Sequence, residues 1–556
     1  MTSTRLAFAA FAMMSVGAAA GVTQACSSTE HAAASDAGTD ADSSTGPPTL
    51  VALSVKGAGP LVPAFSSSIN DYYVACAAAT NALTVSITPS PGASGSLLQP
   101  APATSPSATP STKTLSVAAS QAIVAVATRG NVTNEYWVRC LPSDFPPLTM
   151  TAYPDAGTPS PGYYLVGNVE FPFNGTGYAM ILNGAGVPVW YHPLPGGLGP
   201  NNVDDVVDGA VTFVPHSDQG GTAFYPLEVV QLRPPAVKKL EPMGYNVDEH
   251  ELRVLPNGDY VMFAWPLTSG IDLTGVKIPA PLLDGGFLEP GPGSTIQDCA
   301  VVEFDPATGK VVWEWLASQH FDPAKVSVYP STGMPPDATQ PDGGRTYDVF
   351  HCNSIDVDPA NGNFLVSARN TDSVFYIDKS TKTVLWKMGG VDTSLDDTRY
   401  VSVSDPFFQQ HDARLVHGWS PTCNGGSGQV SVFDDETPID GGLARGVIYD
   451  VVVGADAGAE HCGASDGGAP GHARVAWQYK GTIYSPASGS MRFSPDGTSR
   501  IIGWGLELND GAFTEVNAGG DKLLQLRFAA GNASYRAVKV PLTAFDLETL
   551  RQTAGQ

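Results

Sequence analysis

Across 556 residues the chain carries 29 Lys and Arg against 54 Asp and Glu, a formal net charge of −25, and only 15% of its residues are charged. With no Lys/Arg-rich run the chain lacks the basic surface that phosphate binding needs, which excludes a nucleic-acid partner, and no apolar run after residue 25 approaches the roughly 20 residues of a membrane span. Gly 60 and Pro 46 without a collagen period, beside 42% hydrophobic residues, imply frequent turns, short helices and a packed core, and the length implies at least two domains.

The first 25 residues hold one positive charge at Arg5, an apolar stretch over 6–22 and small residues ahead of Cys26, the layout of a secretory signal. Residues 26–48 are rich in Ser, Ala, Asp and Gly, too polar to bury a core, and read as a disordered tether. Thr23-Gln24-Ala25-Cys26 resembles a lipobox with Thr23 in place of the usual Leu. Lipid at Cys26 would hold the exported protein at the outer membrane or cell surface, the only membrane contact expected; plain cleavage after Ala25 would leave it periplasmic. Of the seven cysteines, six remain beyond Cys26, an even number for an oxidising compartment. Keeping each bridge within one domain or between neighbouring units pairs Cys76 with Cys140, Cys299 with Cys352, and Cys423 with Cys462. No CxxC or Cys/His zinc spacing occurs.

Residues 49–142 contain short β-type runs (53–55, 83–87, 123–126 and 136–138) between Ser/Pro/Gly/Ala-rich turns, which predicts a small β-sandwich. Leu61-Val62-Pro63-Ala64-Phe65, Asp71-Tyr72-Tyr73-Val74 and Glu135-Tyr136-Trp137-Val138-Arg139 resemble the cadherin-like modules of bacterial surface proteins. That resemblance implies a fold and a spacer, and nothing about chemistry.

From 149 to 556 strands alternate with Asn-Gly, Asp-Gly and Thr-Gly turns, and segments repeat. Residues 250–258 align without a gap to 489–497; His411-Asp412-Ala413-Arg414-Leu415 begins the same way, and Asn353-Ser354-Ile355-Asp356-Val357 falls in the same register. Two hairpins, 301–313 and 374–386, each end in a Trp. Repeated four-stranded units make a β-propeller, so the expected fold is all-β: an N-terminal β-sandwich followed by a six-bladed β-propeller with elaborated loops.

In a propeller the first strand of each blade lines the central channel, so one register position converges from several blades. Here that register holds His250, Asn353, His411 and Gly489. His351 shares the face of Asn353 by strand period two, and Arg369 ends the following strand. One His at a strand start is ordinarily a structural residue, but five polar groups meeting in one channel would be costly to desolvate without a use. His31, His192, His216, His320, His417, His461 and His472 fall outside the register and are read as structural.

Asp248-Glu249-His250-Glu251 with Leu255-Pro256-Asn257-Gly258, His351-Cys352-Asn353-Ser354, Ser367-Ala368-Arg369, Leu385-Trp386-Lys387-Met388-Gly389-Gly390 and Gln410-His411-Asp412 resemble the bacterial arylsulfotransferase family over about 150–540. The resemblance implies transfer of a sulfuryl group from a phenyl sulfate ester to a phenolic acceptor, ping-pong through a sulfated histidine, with no nucleotide donor, cofactor or metal. His411 then matches the nucleophile, and His250, His351 and Arg369 the catalytic groups around it. Asn353 matches a substrate-binding amide, and Ser490, beside the vacant position at Gly489, a substrate hydroxyl. A sulfuryl group in transfer spreads negative charge over its oxygens, so positioned donors suit it, as for phosphoryl transfer. Homodimer formation is left open. Two other readings use the same residues: a metal-dependent hydrolase with His250, His351 and His411 as ligands, opposed by the Arg369 charge, and a non-catalytic binding propeller at the cell surface.

Overall fold

The computed structural model describes residues 46–556 except 173, 218–224, 281–285, 333–344, 422–425, 437–441, 455–470 and 509–510. Cys26, its signal and tether, His31, and the expected Cys423–Cys462 bridge with His461 lie outside the described residues. The described chain is all-β, its longest helix being Leu547–Thr553. No described helix is long and apolar enough to cross a membrane.

Residues 50–141 form two sheets. Leu50–Lys56, Thr80–Pro89 and Ser111–Ala118 make a three-stranded antiparallel sheet; Asp71–Ala75, Val132–Leu141, Ala122–Arg129 and Ser94–Gln99 make the other, its first pair parallel. Alternation of apolar and polar residues along Thr80–Pro89 turns Leu83, Val85 and Ile87 inward, where they meet Tyr72, Val74, Tyr136 and Val138 of the other sheet. Cys76 and Cys140 are joined within this core, as their pairing predicted.

The rest of the chain builds antiparallel sheets whose innermost strands neighbour one another in a closed circuit: Gly199–Asp204, Val247–Val254, Cys352–Val357, His411–Leu415, Ser490–Phe493, Ala537–Val540 and back to Gly199–Asp204. Each of these strands except Ala537–Val540 continues outward through the strands that follow it in sequence; Cys352–Val357 and His411–Leu415 are the two ends of one nine-stranded sheet, and the other three each open a separate sheet. The hairpins ending in Trp313 and Trp386 form as expected, with Glu303 opposite Trp313 and Tyr376 opposite Trp386. Both chain ends close the circuit. Ala537–Val540 pairs with Tyr163–Glu170, so a C-terminal strand is the inner edge of an N-terminal sheet, and Leu148–Ala152 pairs with Lys522–Phe528 as the outer edge of the last one. The Cys299–Cys352 bridge ties two neighbouring sheets, again as paired from sequence.

The module over 50–141 is docked against these sheets. Tyr73 and Leu141 share a hydrophobic cluster with Tyr163, Tyr191 and Leu550, and Arg551 pairs with Asp71 at 2.7 Å while lying over the Trp137 ring.

At the axis, side chains from the innermost strands meet in a buried ionic network. Arg414 and Arg536 both bond Glu251, the latter at 3.1 Å, while Arg492 and Arg414 bond Asp412 at 2.7 Å each. Arg536 also donates to Asn202 and to the Asn353 carbonyl, so one side chain bonds three of the inner strands. Burial would raise the Glu251 carboxyl, but the guanidiniums of Arg414, Arg253 and Arg536 hold it down to about 2. Removing one member of such a network strands its partners in low dielectric. Glu251→Gln should therefore lower stability by about 3–5 kcal/mol, read as a lower denaturant midpoint; an unchanged midpoint would show that the network does not hold the circuit together.

Candidate functional site

Three of the innermost elements bring a histidine to one small cavity of about 240 Å³. His250 comes from Val247–Val254, His411 opens His411–Leu415, and His351 directly precedes Cys352–Val357. The rings of His250 and His351 stand edge to face with centroids 5.1 Å apart, and that of His411 lies 6.5 Å from His250. One nitrogen from each falls within 4.8 Å of the others.

Each imidazole is oriented from behind by a carboxylate on Nδ1: Asp248 on His250 at 2.7 Å, Asp348 on His351, and Asp435 on His411 at 2.6 Å. This leaves Nε2 of each ring as the working atom. The Nε2 of His411 accepts a 3.3 Å hydrogen bond from the Ser488 amide, which identifies it as the unprotonated nitrogen. Burial lowers the His411 pKa well below its ordinary value, with the Arg369 charge acting in the same direction, and burial pushes Asp435 up.

The backbone around the cavity is held in an unusual conformation. His351, Gln409, Asp412 and Ser488 all have φ between +50° and +62°, a region costly for residues with a Cβ and tolerated where surrounding contacts fix it. Gly489, which occupies the register position of His250 and His411, has φ +106°, and a Cβ there would come within 2.4 Å of the Phe433 ring. This is why the repeat lacks a side chain at that position.

The other residues singled out from sequence stand further back. Asn353 is buried, with Nδ2 donating to the Gln410 carbonyl and Oδ1 without a partner, and it does not line the cavity. Arg369 donates to Asn370 Oδ1 and to the Pro486 carbonyl beside the cavity wall, and its buried Nε has no acceptor. The Ser490 hydroxyl exchanges hydrogen bonds with the Ala537 backbone, and the serine on the cavity wall is Ser488 instead. His216, read as structural, lines the cavity with Nδ1 3.3 Å from Glu249. His192 and His320 lie outside it, bonded to the Gln556 carbonyl and to Asp396. Trp265, Leu506 and Tyr535 supply apolar and aromatic wall that the repeat register did not reveal. Asp248 and Asp348 were within reach of sequence reasoning, two and three residues from their histidines; Asp435, 24 residues from His411, was not.

Residues 287–452 match the family model for Arylsulfotransferase (ASST), a match that supports that family. His351, Asn353, Arg369 and His411 lie inside the matched segment, whereas His250, Ser488 and Tyr535 lie outside it. No curated protein matches the chain. Solved structures with some likeness include the β-propeller domain of Cps50 (Swd1) from Myceliophteria thermophila, 9% identical with a TM-score of 0.31 over 68% of this chain and 89% of that one. Dihydro-heme d1 dehydrogenase NirN is 15% identical with a TM-score of 0.29, over 70% and 79%. An auxiliary nutrient binding protein from Bacteroides thetaiotaomicron is 9% identical with a TM-score of 0.24, over 87% and 98%. At these TM-scores the likenesses carry no argument about this chain.

Burial drives both members of the His250–Asp248 pair towards their neutral forms, the imidazole down to about 3 and the carboxyl up to about 8. The folded pair therefore holds one proton between those two limits, whereas unfolded Asp and His together hold one only between about pH 3.9 and 6.5. Between about pH 6.5 and 8 the folded state binds the extra proton, so the pair's contribution to stability is full between about pH 3.9 and 6.5 and is lost as pH rises towards 8. Asp248→Asn should flatten the fall in melting temperature across that interval; an unchanged slope would place the proton elsewhere.

Proposed function

We propose that the protein is an arylsulfotransferase of the nucleotide-independent kind, moving a sulfuryl group from a phenyl sulfate ester to a phenol through a sulfated His411. The observation that carries this reading is the convergence of His250, His351 and His411 on one cavity, with two of the three inside the matched segment. In this reading the inner-strand circuit is a six-bladed propeller over 149–556, the two-sheet module over 49–142 is a cadherin-like accessory domain, and the export signal and Cys26 lipid deliver both to the cell surface.

The chemistry follows from the donors. His411 Nε2 attacks sulfur, the N–S bond forms as the S–O bond to the aryl group breaks, and the phenolate leaves with a proton from His250 or His351. Asp435 accepts the Nδ1 proton of His411 and offsets the positive charge that the ring gains as Nε2 is substituted. The sulfuryl oxygens carry the spread negative charge and are met by the imidazoles, by the field of Arg369, whose Nε lacks an acceptor, and by the Ser488 amide, which is released from Nε2 of His411 as that nitrogen bonds sulfur. In the second half-reaction the acceptor phenol returns a proton to the same histidine, its oxygen attacks sulfur, and the N–S electron pair goes back to Nε2. Trp265, Leu506 and Tyr535 give the aryl ring an apolar wall. Asn353 and Ser490 act from behind, holding the backbone at Gln410 and Ala537.

Incubation with a chromogenic phenyl sulfate alone should release one phenolate per chain and leave one sulfuryl group on His411, located by peptide mass spectrometry and discharged by added phenol. His411→Ala should lose label and turnover together, and His250→Ala, His351→Ala and Arg369→Ala should each reduce turnover by on the order of a hundredfold, as loss of one preorganised donor does. A label that persists in His411→Ala would overturn the mechanism. Asp435→Asn should lower the rate of labelling more than donor binding, because it withdraws charge compensation only as the N–S bond forms.

A further inference from the structure

We infer that His250, His351 and His411 also form a binding site for a divalent transition-metal ion such as Zn²⁺, and that the ion blocks sulfuryl transfer by occupying the same nitrogens. The second half of this statement rests on the reading above; the first does not. Three imidazole nitrogens within 4.8 Å of one another suffice for a zinc site with an open fourth position. Bonding at about 2.1 Å to each ring nitrogen in tetrahedral geometry would bring the three to roughly 3.4 Å apart. The supporting arrangement is already built: every one of the three rings has its Nδ1 on a carboxylate, the pattern that fixes ring orientation and raises basicity in metal-ligating histidines.

Charge acts on a cation in this cavity from both sides. Arg369 opposes a metal here as it did in sequence: its guanidinium donates to Asn370 and the Pro486 carbonyl outside the cavity wall, but its charge reaches His411. Arg536, the other nearby guanidinium, is engaged with Glu251. On the other side stand Glu249 on the wall and Asp348, Asp248 and Asp435 behind the three rings, the last two drawn towards their neutral forms by burial while no cation is bound. Coordination consumes the Nε2 lone pair of His411, the pair that attack on sulfur requires, so metal and sulfuryl group exclude one another.

The test uses the full-length protein stripped with a chelator and dialysed. Equilibrium dialysis against Zn²⁺ should give one tightly bound ion per chain, lost in His250→Ala and His351→Ala and kept in His320→Ala, whose ring lies against Trp315 away from the cavity. Because an alanine variant could fail to fold, Co²⁺ added to the unaltered protein provides a second readout: a visible absorption band of tetrahedral intensity, displaced by Zn²⁺. Saturating Zn²⁺ should abolish labelling by the phenyl sulfate, and chelator should restore it. Absence of bound ion, or binding that the triad variants do not weaken, overturns the inference and leaves sulfuryl transfer standing. Full labelling in the presence of bound Zn²⁺ overturns the exclusion. An ion held by the triad in a protein that transfers no sulfuryl group under any condition upholds the site and overturns the transferase reading instead.

Discussion

The ionic network at the axis is the constraint on which the remaining structure depends. Glu251, Asp412, Arg414, Arg492 and Arg536 come from four different stretches of chain, and all but the half-buried Arg492 are buried. Charges in that setting are stable only with their partners in place, so the network rewards a single arrangement of the innermost strands and penalises any slip between them. Carboxylates and guanidiniums compensate locally: the Asp412 carboxyl stays well below the ordinary carboxylate range, because Arg492, Arg414 and Arg536 outweigh the effect of burial.

The same strands that hold the network present the candidate chemistry, and they do so by simple adjacency. His250 precedes Glu251, His411 precedes Asp412, and Tyr535 precedes Arg536. In each pair the first residue lines the cavity and the second enters the ionic network. Adjacent side chains share one short piece of backbone, so anchoring the charged residue fixes the direction of its neighbour, at Asp412 on backbone of positive φ where the strand pleat is broken. Rigid support of this kind is what a site built from positioned donors requires, since small displacements weaken each contact with the reacting group. The positive φ values at His351, Asp412 and Ser488 belong to the same design: the backbone is bent against its preference where the cavity is made, and the packed surroundings hold it there.

Ring closure by both chain ends has a parallel consequence. A circuit of sheets completed by local strands alone would leave two open edges, whereas here Ala537–Val540 supplies an inner edge and Leu148–Ala152 an outer one. Tyr535 and Arg536 lie immediately before the closing strand, so completing the fold also completes the cavity wall and the network. The N-terminal module packs against the same region, through the cluster around Tyr73 and Leu550 and the Asp71–Arg551 pair.

Local regularities carried much of this into the sequence. The repeated turns placed His250 and His411 in one register with Asn353, and strand period two added His351 on the face of Asn353; the Trp-ended hairpins and the pairing of Cys76 with Cys140 and Cys299 with Cys352 followed from order along the chain. Asp248 and Asp348 were legible in principle for the same reason. Tertiary structure decided what no local pattern encodes: that Asp435 stands behind His411, that Ser488 and not Ser490 faces the cavity, that Arg369 turns to Asn370 and Pro486, and that His216 joins the wall. Those contacts arise where segments far apart in the chain are brought face to face across the axis, and their partners are chosen by closure of the circuit and by the need to compensate buried charge, neither of which has a spacing in sequence.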